Sequence, residues 1–285
     1  ATVSSDLAVK DGVPVIQQFF GHGLAPEVQK KLAAGSKIKL IVAMNVLAHT
    51  DNINDFLAEA ANLMEPDTVF VSQSHWLAAL TRKVEFDTIY HEHFSYLSLT
   101  AVKNILGSVG LEVFQVERLS THGGSLRVWS QHEGAPKEVT SSVCEVIEEE
   151  REFGISRRET YQNFAKSVDD ISFALKVFLN EAKANNKLVV AYGAAAKGNT
   201  LLNFYNLDNS IIDYVTDVSP HKQGKYTPGT HIKILDPKYI NVKKTNYLLL
   251  LSWNLAKEIA KQESKYLKNN GKIIVPFPMP HEFKS

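Results

Sequence analysis

Eight consecutive residues, Ile89, Tyr90, His91, Glu92, His93, Phe94, Ser95 and Tyr96, bring two imidazoles, a carboxylate and two phenols together. No other stretch of the chain brings imidazole, carboxylate and phenol so close together. An imidazole titrates near neutrality, so either histidine can serve as an acid or a base at physiological pH. In an extended segment Tyr90, Glu92 and Phe94 share one face and His91, His93 and Ser95 the other. A turn instead lets Tyr90, Glu92 and His93 converge. The His-x-His spacing also suits a metal, but no convincing third ligand lies nearby, so no metal is expected. His49, in Asn45-Val46-Leu47-Ala48-His49, and His75 each end an apolar run, where they line a pocket or serve as structural histidines.

A second set of residues suits an anion. Gly193 and Gly198 bracket Ala194-Ala195-Ala196-Lys197 between an apolar run and a helix-forming one. Backbone N–H groups at such a turn can cradle a phosphate, with Lys197 adding a point charge. The alternative is a tight turn whose small residues let a helix lie close on a sheet. Asp217 follows at roughly the ~20-residue spacing at which an acidic residue meets a ribose in dinucleotide folds. The loop 219–229 adds His221, Lys222 and Lys225, either for a diphosphate or as a solvated loop.

Elements that position these groups can be read from the apolar pattern. Residues 37–44 and 68–71 read as parallel strands, 54–63 and 100–109 as helices, and 111–119 with 125–131 as an antiparallel hairpin turning at Gly123 and Gly124. Residues 137–185 are charged and helix-forming, and Glu148, Glu149 and Glu150 read as a solvated helix face. From residue 187, strands at 188–192, 211–217, 247–252 and 272–276 alternate with helices, which implies a parallel sheet covered on both faces.

The bulk properties exclude several partners. The 285 residues carry 31 basic and 31 acidic side chains, so there is no electrostatic footprint for nucleic acid or an anionic membrane. Cys144 is alone, which suits a reducing, cytoplasmic setting and an inert thiol. No apolar run reaches the ~18 residues of a membrane span.

The octet, together with 45–49, Gly123-Gly124-Ser125-Leu126-Arg127, Tyr192 to Gly198 and Pro276-Phe277-Pro278, resembles S-adenosylmethionine-dependent C-methyltransferases acting on nucleotide-linked ketodeoxysugars. Five motifs recur in order over nearly the whole chain. The resemblance implies an α/β protein of two Rossmann-like three-layer domains joined by a helical connector. The first, 1–136, would be an incomplete methyltransferase fold with an antiparallel C-terminal hairpin; 137–186 the connector; and 187–285 a sugar-nucleotide-binding domain. It implies His93 as the base that removes a proton beside a ketone, with Glu92 orienting it or holding the sugar and Tyr90 donating to the enolate oxygen. It further implies Asn45, His49 and His75 at the S-adenosylmethionine site. Tyr96, Lys197, Asn199, Asp217, Ser219, His221, Lys222 and Lys225 would hold the sugar nucleotide. Two readings of another kind are an NAD-dependent oxidoreductase using 193–198 with Asp217, and a sugar-nucleotide-binding protein without catalysis.

The chain departs from that family in two places: it has no cysteine-rich zinc module, and no glycine-rich cofactor loop precedes Ile38. In a sheet of order 3-2-1-4-5-7-6, residues 13–19 would be strand 3, 37–44 strand 4, 69–72 strand 5 and the hairpin strands 6 and 7. Strands 1 and 2 are missing, which leaves strand 4 as an apolar open edge. The expectation is a longer polypeptide, the alternatives being a second chain that completes the sheet or a rearranged protein that keeps only sugar-nucleotide binding; for a chain that truly begins at Ala1, binding of S-adenosylmethionine is expected to be weak or absent.

Overall fold

The computed structural model describes residues 2–284, with side chains from residue 5 onward. They fall into two compact units, 2–78 with 93–155, and 79–92 with 156–284.

In the first unit, helices α1 (Thr2–Lys10) and α2 (Ala25–Lys31) precede strand β1 (Leu40–Met44), helix α3 (Ile53–Leu63) and strand β2 (Val69–His75). Helix α4 (Leu77–Lys83) then leads the chain out of the unit, which resumes with α5 (Leu99–Gly107), β3 (Leu111–Leu119), β4 (Ser125–His132) and α6 (Ser141–Phe153). The strands order as β1-β2-β4-β3, with β1 parallel to β2 and the rest antiparallel. This is the 4-5-7-6 half of the sheet read from the sequence. Among the described residues β1 is an edge, and Leu40 and Val42, each 53% exposed, lie bare on it. Residues 13–19 correct the sequence reading: they form no strand. With no strand beside them, their backbone groups have no ladder to join, and a lone strand is not stable.

The acidic run of α6 is a second correction. Glu148 is exposed, but Glu150 is fully buried. Its carboxylate accepts from Trp76 Nε1 (2.7 Å), Leu99 N (2.6 Å), Thr100 N (2.9 Å) and Thr100 Oγ1 (2.7 Å). It therefore caps the N-terminus of α5, where a negative charge meets unpaired N–H groups and the positive end of the helix dipole. Cys144, on the same helix, is a free and exposed thiol.

In the second unit the long helix α7 (Arg158–Ala184) is followed by β5 (Val189–Tyr192), α8 (Ala196–Phe204), β6 (Tyr214–Thr216) and β7 (Ile234–Leu235). Then come α9 (Tyr239–Val242), β8 (Tyr247–Leu250), α10 (Ala256–Gln262), α11 (Ser264–Lys268), β9 (Lys272–Val275) and β10 (His281–Glu282). The order β10-β9-β8-β5-β6-β7 is parallel except for β10. Along β5, Val189 and Ala191 enter one core with α7, while Val190 and Tyr192 enter another with α10. That alternation makes the sheet the middle of three layers, and it explains why its strands read as unbroken apolar runs.

Candidate active site

In the first unit the carboxyl ends of β1 and β2 gather the expected residues. Asn45 leaves β1 in a left-handed conformation (φ 54°), with its N–H donating to Gln73 O at 2.8 Å. Its amide Nδ2 lies 3.0 Å from Nε2 of His122, which is itself left-handed (φ 56°). Two non-glycine residues in a disfavoured region, bonded to each other, mark a place where the fold accepts local strain. A short turn, Leu47–His49, is anchored by the buried Leu47. From it, Ala48 O accepts Phe94 N at 2.8 Å and Ser95 N at 3.3 Å. These bonds fasten the octet's second half to the β1 loop. The His93 ring consequently sits 4.7 Å from the His49 ring, and 6.1 Å from that of Tyr96. His75 ends β2, half-buried and opposite Ser125 of β4.

Beside His49 lies a cavity of about 670 Å³, lined by Phe20, Phe56, Phe94, Asp51 and Asp55 among others. Its wall is fixed by the close approach of two segments: His22 N donates to Asp55 Oδ2 at 3.0 Å, and a Cβ on Gly21 would collide with that same oxygen. Neither Phe20 nor Asp55 stood out in the sequence, because residues 13–19 read as a strand rather than as the approach to a pocket.

Tyr90 and Glu92 belong to the second unit. Residue 90 is a bend and residues 91–92 a turn, so the strand-like alternation of faces does not apply to the octet. His91 Nε2 and Glu92 Oε1 are 3.9 Å apart and exposed. Burial, then the charges of Glu92 and Asp87, raise the Tyr90 phenol above its ordinary value. It therefore keeps its O–H as a donor at neutral pH.

The 193–198 turn is explained first by packing. Gly193 has φ 96° and a Cβ there would strike Ser252; one on Gly198 would strike Leu251. Asp217 is a brace: its carboxylate accepts Ala194 N (2.8 Å), Ser219 N (2.8 Å) and Lys222 Nζ (3.2 Å). Lys197 folds over the Trp253 ring, 4.2 Å from its centroid, and donates to Asn254 Oδ1. Burial pushes its ammonium below the ordinary lysine range, and Asp87 and Glu85 draw it back up. The buried Oδ1 of Asn199 accepts no hydrogen bond. His221 and Lys225 are exposed.

Residues 120–278, more than half of the chain, match the model of the C-methyltransferase C-terminal domain, and residues 5–116 that of a methyltransferase domain. C-methyltransferase NovU of Streptomyces niveus is 35% identical over 259 residues, which are 90% of this chain and 62% of NovU. The chain thus spans less than two thirds of that relative's length. Among solved structures, an S-adenosylmethionine-dependent methyltransferase from Clostridium acetobutylicum is 8% identical over 47% of this chain and 71% of its own (TM-score 0.33). The CcbJ methyltransferase of Streptomyces caelestis is 17% identical over 42% and 67% (TM-score 0.30). These two likenesses are too partial to bear on the site.

Proposed function

The chain belongs to the S-adenosylmethionine-dependent C-methyltransferase family, and from that premise we propose that it methylates the carbon beside the keto group of a nucleotide-linked deoxysugar. The observation that carries this reading is the pair of backbone bonds from Phe94 and Ser95 to Ala48, which set His93 against His49 at the mouth of the β1 loop.

A proton on a carbon next to a carbonyl is removable because the charge left behind delocalises onto oxygen. Nε2 or Nδ1 of His93, as the base, takes that proton. Tyr90, whose O–H is retained, donates to the oxygen as it gains charge, and Glu92 orients the imidazole or a sugar hydroxyl. S-adenosylmethionine, when bound, supplies the electrophilic methyl that the carbon accepts. The cavity beside His49 fits such a donor: the half-buried Phe20, backed by Phe56 at 4.5 Å, and the exposed Phe94 offer apolar surface for a purine, and Asp51 and Asp55 offer acceptors for a ribose or an ammonium group. Asn45, His49 and His75 rim the same strand ends. Tyr96, Lys197, Asn199, Asp217, Ser219, His221, Lys222 and Lys225 are the residues proposed for the sugar nucleotide.

The test is transfer of label from methyl-labelled S-adenosylmethionine to a panel of nucleotide-linked ketosugars. The expected result is transfer to at least one ketosugar and to none of the corresponding alcohols. Equal labelling of ketone and alcohol, or labelling of neither, overturns the proposal.

A further inference from the structure

The most unusual side chain outside the residues already assigned is Asp87. It sits in the short turn Phe86–Thr88 with none of its surface exposed. Oδ2 accepts Trp253 Nε1 at 2.7 Å, whereas Oδ1, equally buried, accepts nothing. The face of the same indole carries the Lys197 ammonium. One ring therefore joins a carboxyl at its N–H edge to a cation over its π face. Phe277 packs on the edge of the indole at 5.4 Å and on Phe86 at 5.7 Å, which ties the ring to the turn that carries Asp87.

Burial is the main influence on Asp87 and, offset in part by Lys197 and the indole bond and reinforced by Glu85, leaves it raised to about 7. Tyr90 and Tyr205 are the other titratable groups that feel its charge. The balance depends on Lys197. When an anion pairs with Lys197, the cation no longer offsets the carboxylate, and the anion's own charge is added to the repulsion. A proton on Asp87 relieves both.

On the reading that this unit holds the phosphates of a nucleotide sugar, we infer that Asp87 is a positioning residue which, through Trp253 and Lys197, couples binding of a diphosphate to uptake of a proton. The coupling makes binding tighter as pH falls through neutrality, and it keeps the buried turn from carrying an uncompensated charge once the ligand is in place.

Calorimetry with inorganic pyrophosphate at pH 7.5, in buffers of differing ionisation enthalpy, reads the number of protons taken up. The expected value is roughly half to three quarters of a proton more for the wild type than for Asp87→Asn, because a group at about 7 already holds part of a proton at that pH. Lys197→Met should weaken binding roughly tenfold or more. In the free protein, the indole N–H resonance of Trp253 should titrate near pH 7, lose that titration in Asp87→Asn, and shift its midpoint upward in Lys197→Met. Equal proton uptake in wild type and Asp87→Asn overturns the inference. So does an unmoved indole midpoint in Lys197→Met, or a protein that turns over ketosugar without binding pyrophosphate. Asp87-dependent uptake in a protein that transfers no methyl group supports the inference and overturns only the proposed function.

Discussion

Two buried carboxylates, one in each unit, show what separates a structural acid from a responsive one. Glu150 and Asp87 are both fully buried, and each accepts an indole N–H at 2.7 Å. Glu150 gains three further donors from Leu99 and Thr100, while Asp87 has an oxygen with none. A carboxylate that gives up water must replace those bonds or shed its charge. Glu150 replaces them, and its charge becomes the cap of α5. Asp87 does not, and its charge is left to be set by a neighbouring cation.

That contrast can be broken in order of expected effect. Glu150→Ala strands an indole N–H, two amides and a hydroxyl. At ~1–3 kcal/mol for each unsatisfied group, the loss should be about 5 kcal/mol, read by denaturant unfolding. A cost under about 1 kcal/mol would mean that the cap is replaceable by solvent.

For Asp87 the effect is one of pH. Its folded value is raised from 3.8 to about 7, so between those values the folded state holds a proton that the unfolded state has released. The resulting stability is fully present below pH 3.8 and is lost as pH rises through about 7. At ~1.4 kcal/mol per unit the total is on the order of 4 kcal/mol. Asp87→Asn should abolish this contribution to the slope. An unchanged slope would contradict the assignment.

The same substitution in the two settings sharpens the comparison further. Trp76→Phe leaves Glu150 with three donors, and the lost hydrogen bond should cost about 1 kcal/mol. Trp253→Phe takes from Asp87 the indole N–H that holds it down, so its titration should move to higher pH. The smallest effect is at Glu148, exposed and paired with Arg151 within its own helix. Glu148→Gln should leave the melting temperature unchanged within error.

The sheet of the first unit was legible because buried strands are apolar runs of fixed length, and their sequence order matched a known winding. Glu150 was missed by reading three glutamates as one surface. Counting along the helix from Val143 and Val146 places Glu150 on the same inward stripe, at the seventh and fourth steps, so the signal was present. Asp87 carried no such signal. Its partners Lys197 and Trp253 are far away in sequence, and only folding makes the carboxyl short of donors. Likewise, Gly193 and Gly198 looked like a phosphate loop because close packing on Ser252 and Leu251 demands the same residue as close approach of a ligand.

In the proposed function His93 removes a proton from the carbon beside a ketone. The most direct measurement is exchange of that carbon's hydrogen with deuterium oxide, followed by NMR on a nucleotide-linked ketosugar that the wild type turns over. The account predicts enzyme-dependent exchange or deuterium-sensitive turnover in the wild type and loss of both in His93→Asn, with substrate affinity within a few-fold. Exchange and turnover at wild-type rates in His93→Asn would contradict it.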